Sequence, residues 1–338
     1  MPLLERFRNG YRYGGVEVKY RLDVKVIDKE GNVVKDCVDC GQLIYDNILN
    51  LWALLISNNL TASGVSNAKV SLITSTGTEL AQSYTVSVNS NATNLMGTVA
   101  SSFSIQIAVT ISSACGTSCT PYMLAIVWSW GSSNYLFYVN LNPSTNSCGL
   151  TAYAGAVIIF TLNGTAQVTS GNASASSYVE WWSEIWAEII NSLMGSSSPF
   201  NGKTFNWAGS GSALSYYVVY LYDTNGVNIG TYNSSSSSQA NISSVQMSAS
   251  TSQSQTTLNA QATWTISATF NTLPAASDTL YGIDIRLYLN GTTNSSGATQ
   301  LALGGYVETY AINVNQTVNQ GSSYTIVVNE AVSEPVNT

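Results

Sequence analysis

Hydrophobic and polar residues alternate along most of this chain with a period of two. VEVKYRLDVKVIDKEGNVVK, SFSIQIAVTISS, YMLAIVWSWGSSNYLFYVNLN, GAVIIFTLNGT, ATWTISATFNTL, YGIDIRLYLNG and SSYTIVVNEAV all carry it. Successive side chains of a strand point to opposite faces, so each segment reads as a half-buried strand. Gly, Asn and Ser clusters separate the segments at short intervals, the punctuation of antiparallel sheets packed face to face. Two stretches follow a helical period instead. In residues 41–57, Leu43, Ile48, Trp52, Leu55 and Ile56 recur on one face, with Asp39 and Gln42 placed as a capping box. In residues 178–194, Val179, Trp182, Trp186, Ile189 and Leu193 do the same; Ser177 and Glu180 form the box and Gly195 ends the helix.

The order of elements repeats. Each helix is followed by a hairpin, AKVSLITSTGTELA or YYVVYLYDTNGVNIG, then by further strands of matching pattern. The expected fold is all-β: two tandem antiparallel β-sandwich domains, jelly-roll-like, each with one amphipathic helix. Residues 1–40 form a basic arm and opening hairpin, part of the first domain. Residues 41–170 form the first sandwich, the polar run 171–177 a hinge-permitting linker, and 178–338 the second sandwich.

Composition sharpens this picture. Only 9% of the 338 residues are charged and none is histidine, against roughly 25% charged in ordinary globular chains. From Leu80 to Val179 there is no Asp, Glu, Lys or Arg at all. Ser, Thr, Asn, Gln and Tyr must hydrate the surface, and none changes protonation between about pH 2 and pH 9. That predicts a structural protein working outside a cell in acid. Eight of the eleven basic residues lie in the first 35 positions; they read as a solvated charged strand pair interleaved with Glu17, Asp23, Asp28 and Glu30, or as a docking arm in which Arg6, Arg8 and Arg12 are the candidates for an acidic partner. No secretion signal and no span of about 20 apolar residues is legible, so synthesis in a host cytoplasm and release in a particle are expected.

Without histidine there is no Ser-His-Asp or Cys-His pair and no near-neutral proton shuttle. Paired carboxylates for glycoside chemistry reduce to Asp278, Asp284 and Glu308, which also read as turn and edge-strand acids. No enzymatic activity and no cofactor is expected. DKEGN and DTNGVN lack the acidic ligands of a calcium loop and read as turns. The five cysteines, Cys37, Cys40, Cys115, Cys119 and Cys148, leave three options open: disulfides, free buried thiols, or a zinc site from CVDC and CGTSC. Disulfides are favoured because protons compete with metal for thiolates.

Asn-x-Ser/Thr sequons fall at Asn59, Asn91, Asn163, Asn172, Asn233, Asn241, Asn290, Asn294 and Asn315, in predicted loops. Glu180, Glu184 and Glu188 form a stripe four apart, read as a solvated face or a contact for a basic partner. Trp181, Trp182 and Trp186 on the same helix read as core or subunit interface rather than a sugar platform.

Tandem strand patterning with this composition resembles the jelly-roll structural proteins of turreted icosahedral viruses of hyperthermoacidophilic archaea, of the Sulfolobus turreted icosahedral virus type. The resemblance lies in architecture and composition, and it carries no site residues. It implies a virion component, with a turret or vertex spike favoured over the double jelly-roll major capsid protein because VVNEAVSEPVNT cannot anchor in a membrane. Self-association as a ring of five, contact with other capsid proteins and attachment to a host receptor follow from the resemblance; nucleic acid is not an expected partner. The runner-up is a cell-surface adhesin or filament subunit using strand exchange.

Overall fold

A computed structural model describes residues 4–61, 64–89, 100–169, 174–200, 205–207, 214–237, 239–254, 257–289, 292–294, 306–311 and 314–335. The first half contains β1 (Glu5–Phe7), β2 (Gly10–Tyr13), β3 (Val16–Ile27), β4 (Val33–Cys37), β5 (Gln42–Asp46), α1 (Ile48–Ile56), β6 (Val65–Ile73), β7 (Ala81–Val88), β8 (Ala100–Ile111), β9 (Met123–Trp130), β10 (Ser133–Asn140) and β11 (Val157–Val168). The second contains α2 (Ser174–Met194), β12 (Phe205–Trp207), β13 (Leu214–Asp223), β14 (Asn228–Asn233), β15 (Gln239–Ala240), β16 (Ile242–Gln253), β17 (Thr257–Thr269), β18 (Ser277–Leu289), β19 (Thr292–Asn294), β20 (Tyr306–Ala311), β21 (Gln316–Asn319) and β22 (Ser323–Pro335). The chain is mostly β, in several antiparallel sheets, with two α-helices among the described residues.

Six strands of each half pair in the same order. In the first half β6 pairs β9, β7 pairs β8, β9 pairs β10 and β8 pairs β11. In the second half β13 pairs β18, β16 pairs β17, β18 pairs β20 and β17 pairs β22. The halves differ in what is added: β3 and β5 extend the first pair of sheets, and β14 lines the outer edge of β13. The expected 68–81 hairpin is corrected here. Its turn closes through Thr74 and Thr78, but β6 and β7 then leave into different sheets.

Alternation sorts each strand into an apolar and a polar face. Val18, Leu22 and Val24 of β3, Ile105 and Ile107 of β8, and Ile158 and Leu162 of β11 share one core with Val70, Leu124, Trp128 and Phe137 from the other sheet. Thr161, Asn163, Thr165 and Gln167 of β11 lie beside Gln106, Ser104, Ser102 and Ala100 of β8 on the opposite face. In the second half Asn259, Gln261, Thr263 and Thr265 of β17 meet Ser252, Ser250, Ser248 and Gln246 of β16. Hydroxyl and amide ladders thus coat both halves.

The helices depart from expectation. Residues 42–46 form strand β5 and only 48–56 are helical. Tyr45 and Leu43 are buried by strand alternation, and Asp39 bonds Arg8 rather than capping a helix. Helix α2 starts at Ser174, so Ser177 lies inside it and the expected linker shrinks; residues 171–173 of that run lie outside the described residues. Every residue from Trp181 to Ile190 is buried, which marks a helix enclosed on all sides. It packs against β6, β8 and β11 of the first half as well as β20 of the second, while α1 packs against β17 and β22. Leu258, Ala260 and Val332 accordingly belong to the first core. Each helix therefore meets sheets of the half it does not open.

A hydroxyl holds this junction. The Nε1–H groups of Trp182 and Trp186, one turn apart on α2, both donate to Tyr20 Oη at 3.0 Å. That hydroxyl donates to Asp46 Oδ2, and Asp46 Oδ1 accepts the Ile48 amide at 3.0 Å. One donor and two acceptor sites saturate a phenol, so Tyr20 has no capacity left. Phe103 lies 4.5 Å from Trp186 by ring centroids, and Gly164 makes room for it: a Cβ there would stand 2.3 Å from the Phe103 ring.

Tyr20→Phe would leave two indole donors and a carboxylate oxygen without this partner. At ~1–3 kcal/mol for each group left unsatisfied, the variant should lose about 3 kcal/mol or more in urea unfolding at unchanged slope. A loss below about 1 kcal/mol would refute the role of this hydroxyl.

Candidate functional site

The β1–β2 hairpin extends the sheet beside β3, and a groove of about 480 Å³ there is lined by Phe7, Arg8, Asn9, Lys19, Arg21, Asp39, Asn163 and Thr165. Gly10 permits the approach, since a Cβ there would meet Val18 O at 2.0 Å. Asn9 pins the hairpin: its carbonyl accepts the Tyr20 amide at 2.7 Å and its Oδ1 the Leu43 amide at 3.0 Å. Lys19 and Arg21 sit on the polar face of β3, opposite Thr165 and Asn163 of β11. Asp39, at φ 49°, gathers the far wall. Its carboxylate accepts from Arg8, its amide donates to Asp23 Oδ1 at 2.8 Å, and its carbonyl accepts Asn146 Nδ2 at 2.6 Å.

The arginine candidates lie on or beside the paired strands β1 and β2, as in the charged strand-pair reading. Arg8 pairs with Asp39, Arg12 with Glu5 and Glu17, and the Arg6 guanidinium lies 5.9 Å from the Tyr11 ring centre. Exposed pairs of this kind contribute ~0–1 kcal/mol and exchange partners readily. What the groove offers is two cations, Lys19 paired with Glu17 and Arg21 paired with Asp23, beside the Asn163 amide and the Thr165 hydroxyl, with Phe7 as an apolar wall. Such a surface suits a carboxylate or a polar, hydroxyl-rich ligand.

Other predicted residues are dispersed. Trp181, Trp182 and Trp186 are fully enclosed core residues. Glu184 and Glu188 are only 4% and 8% exposed, which overturns the solvated-face expectation: both halves close over α2. The Glu180 side chain lies outside the described residues. Asp284 is buried beside Arg286 Nε at 3.0 Å, whose guanidinium lies over the Tyr220 ring. Asp278 pairs in register with Val318, and Glu308 with Arg286. Asp28 and Asp223 accept their own turn amides, from Asn32 at 2.7 Å and from Val227 at 2.7 Å.

Among the sequons, Asn163 sits mid-strand in β11, and Asn294 lies in β19, contrary to the loop expectation. Asn241 donates to the carbonyls of Ile229 and Thr272 at 2.9 and 2.6 Å. Asn59 donates to the Ser57 carbonyl at 2.9 Å. Asn233 starts a turn by accepting the Ser235 amide, and Asn315 is exposed. Asn91, Asn172 and Asn290 fall outside the described residues. Cysteines resolve into Cys40–Cys148 and Cys115–Cys119 disulfides, with Cys37 a free thiol. The four thiolates proposed for zinc are thereby divided between two places. No protein-family model, curated protein or solved structure matches the chain.

The groove itself went unpredicted; its one signal was Lys19 and Arg21 alternating with apolar residues in a strand. Electrostatics around it have two signs. Lys19 and Arg12 hold the Glu17 carboxyl below its usual range, and bonds from Asn32 do the same for Asp28. Burial pushes the Asp46 carboxyl above its usual range, although Tyr20 and Ile48 oppose the shift. Lowered carboxyls contribute stability that is lost as pH falls through their folded values, below about pH 4. A raised carboxyl works the other way: its penalty disappears as pH falls through its folded value toward about 4. Wild-type stability should therefore rise between about pH 7 and pH 4, and Asp46→Asn should flatten that rise in calorimetric melts. An unchanged slope in the variant would remove Asp46 as its source.

Proposed function

We propose that this chain is a structural component of an extracellular particle, a turret or vertex protein of a virion that endures acid. The observation that carries this reading is the coating of both halves by neutral hydroxyl and amide ladders such as Thr165–Ser102 and Thr263–Ser248. Protonation leaves such ladders unchanged, so hydration persists where carboxylate-coated surfaces lose charge. The buried Asp46 adds stability toward acid, and two disulfides add constraint.

In this reading the two halves are β-sandwiches of jelly-roll type. Four pairs in the first half, β3–β11, β5–β10, β6–β9 and β7–β8, are nested like one long hairpin doubled over. A double jelly-roll major capsid protein shares that architecture. The groove at Lys19 and Arg21 would receive a carboxylate-bearing neighbour in the particle, or polar groups of a host surface.

Closed association is the discriminating property. Light scattering and electron microscopy of the purified chain at about pH 3 should give a closed ring of five. A monomer at every concentration and pH would sink the turret reading. Open filaments would favour the adhesin or filament alternative, which draws support from Val33, Val34 and Val38 standing exposed on and beside edge strand β4. Lys19→Glu with Arg21→Glu should weaken association without lowering the melting temperature by more than a few degrees.

A further inference from the structure

Three of the five cysteines meet at one place. Cys37 closes β4, Cys40 follows the turn at Asp39, and Cys148 comes from the loop after β10. Their Sγ atoms all lie within 4.8 Å of one another. Cys40 and Cys148 are bonded and buried, at 1% and 0% exposure, while Cys37 is a half-buried thiol. A thiol held beside a disulfide is the arrangement that exchange requires, because the thiolate attacks a sulfur of the bridge directly.

We propose that Cys37, Cys40 and Cys148 form a thiol–disulfide exchange centre in which Cys40 bonds alternately to Cys148 and to Cys37. Cys37 gives its proton to solvent, and the thiolate attacks Cys40 Sγ. The Cys37–Cys40 bond forms as the Cys40–Cys148 bond breaks, and Cys148 leaves as a thiolate and takes up a proton. One disulfide replaces another, so no oxidant or reductant enters. Cys40 is the shared sulfur because Cys37-Val38-Asp39-Cys40 lie on a single turn, the spacing of C-x-x-C bridges.

Two backbone bonds beside the bridge do not run through its sulfurs: Gly41 donates to the Asn146 carbonyl at 2.9 Å and Cys148 to the Leu141 carbonyl at 2.8 Å. They would hold the loop docked through the step. Exchange converts a bridge of sequence separation 108 into a local one, and a chain-wide constraint is released without unfolding.

Proton concentration gates the centre. The charged groups around Cys37 are Lys35 and Asp36 on β4, Asp23 on β3 and Asp39 on the turn; residues 141–150 bring no acidic or basic side chain. Burial raises the Cys37 thiol above its usual range, Lys35 opposes this, and the three acids add to it. In acid the thiol keeps its proton and the long bridge is fixed. Toward alkaline pH exchange accelerates about tenfold per pH unit until the thiol ionises.

The test uses the oxidised full chain held anaerobically at about pH 5 or pH 9, quenched in acid, unfolded and labelled with N-ethylmaleimide. Peptide mass spectrometry should find label on Cys37 alone after pH 5. After pH 9 it should find label on Cys148 and a Cys37–Cys40 bridge, formed at a rate independent of protein concentration. Label confined to Cys37 at both pH values overturns the proposal, as does a Cys37–Cys148 bridge. In Cys148→Ser, oxidised glutathione should close Cys37–Cys40; two free thiols there would also overturn it.

Discussion

One phenolic hydroxyl, Tyr20 Oη, ties the sheets to the helix they enclose. It sits where α2 presents Trp182 and Trp186 to β3, and where β5 hands over to α1 through Asp46. Large indoles bring apolar area into a core, but each also brings a donor that is costly to leave unpaired away from water. Two such donors one turn apart can be served by a single acceptor with two free sites within reach of both. Tyr20 supplies that acceptor, and its own proton is taken by a carboxylate. The position of α2, and with it the junction of the halves, is set by geometry rather than by hydrophobicity alone.

Enclosure of α2 ties the first core to the second half. Because α2 fills the first core and α1 lies against β17 and β22, the first half does not bury its apolar surface by itself, whereas Val219, Trp264, Phe270, Ile285 and Ile326 enclose a second core drawn from the second half. The Tyr13 hydroxyl reaching the Ala331 carbonyl adds a direct bond across the boundary. Against this interlocked interior stand exteriors with few charges, where stability is carried by packing and neutral hydrogen bonds. The few ionic groups concentrate on β3 and its neighbours, and there they are already paired.

Strands were legible because alternation in segments such as SFSIQIAVTISS has one interpretation once Gly and Asn mark its ends. The duplicated order was legible too, although hairpin 68–81 misled: a tight turn looks the same in sequence whether it joins paired strands or crosses between sheets. In 41–57 only Asp46 and Asn47 separate the strand Leu43–Tyr45 from the helix, with no Gly or Pro between them, so the helical period of Ile48–Ile56 absorbs it. Glu184 and Glu188 misled for a different reason. A helix walled by two sheets must place some polar positions inside, and sequence alone does not reveal the second wall. Asp46 within an apolar stretch was the available hint of a buried acid. Cysteine spacing could not choose among pairings, since Cys40 and Cys148 are brought together only by β5 and β10 lying side by side.

The exchange of helices bears on how the molecule is made. When the ribosome has released β11, every strand of the first sheet pair exists, yet the wedge that completes their core is still being translated. Nascent chains of this protein must hold an open aromatic cleft, with Phe103, Phe137 and Tyr20 exposed, until α2 emerges to close it. Maturation of the first half therefore waits on the start of the second, and the two become native together.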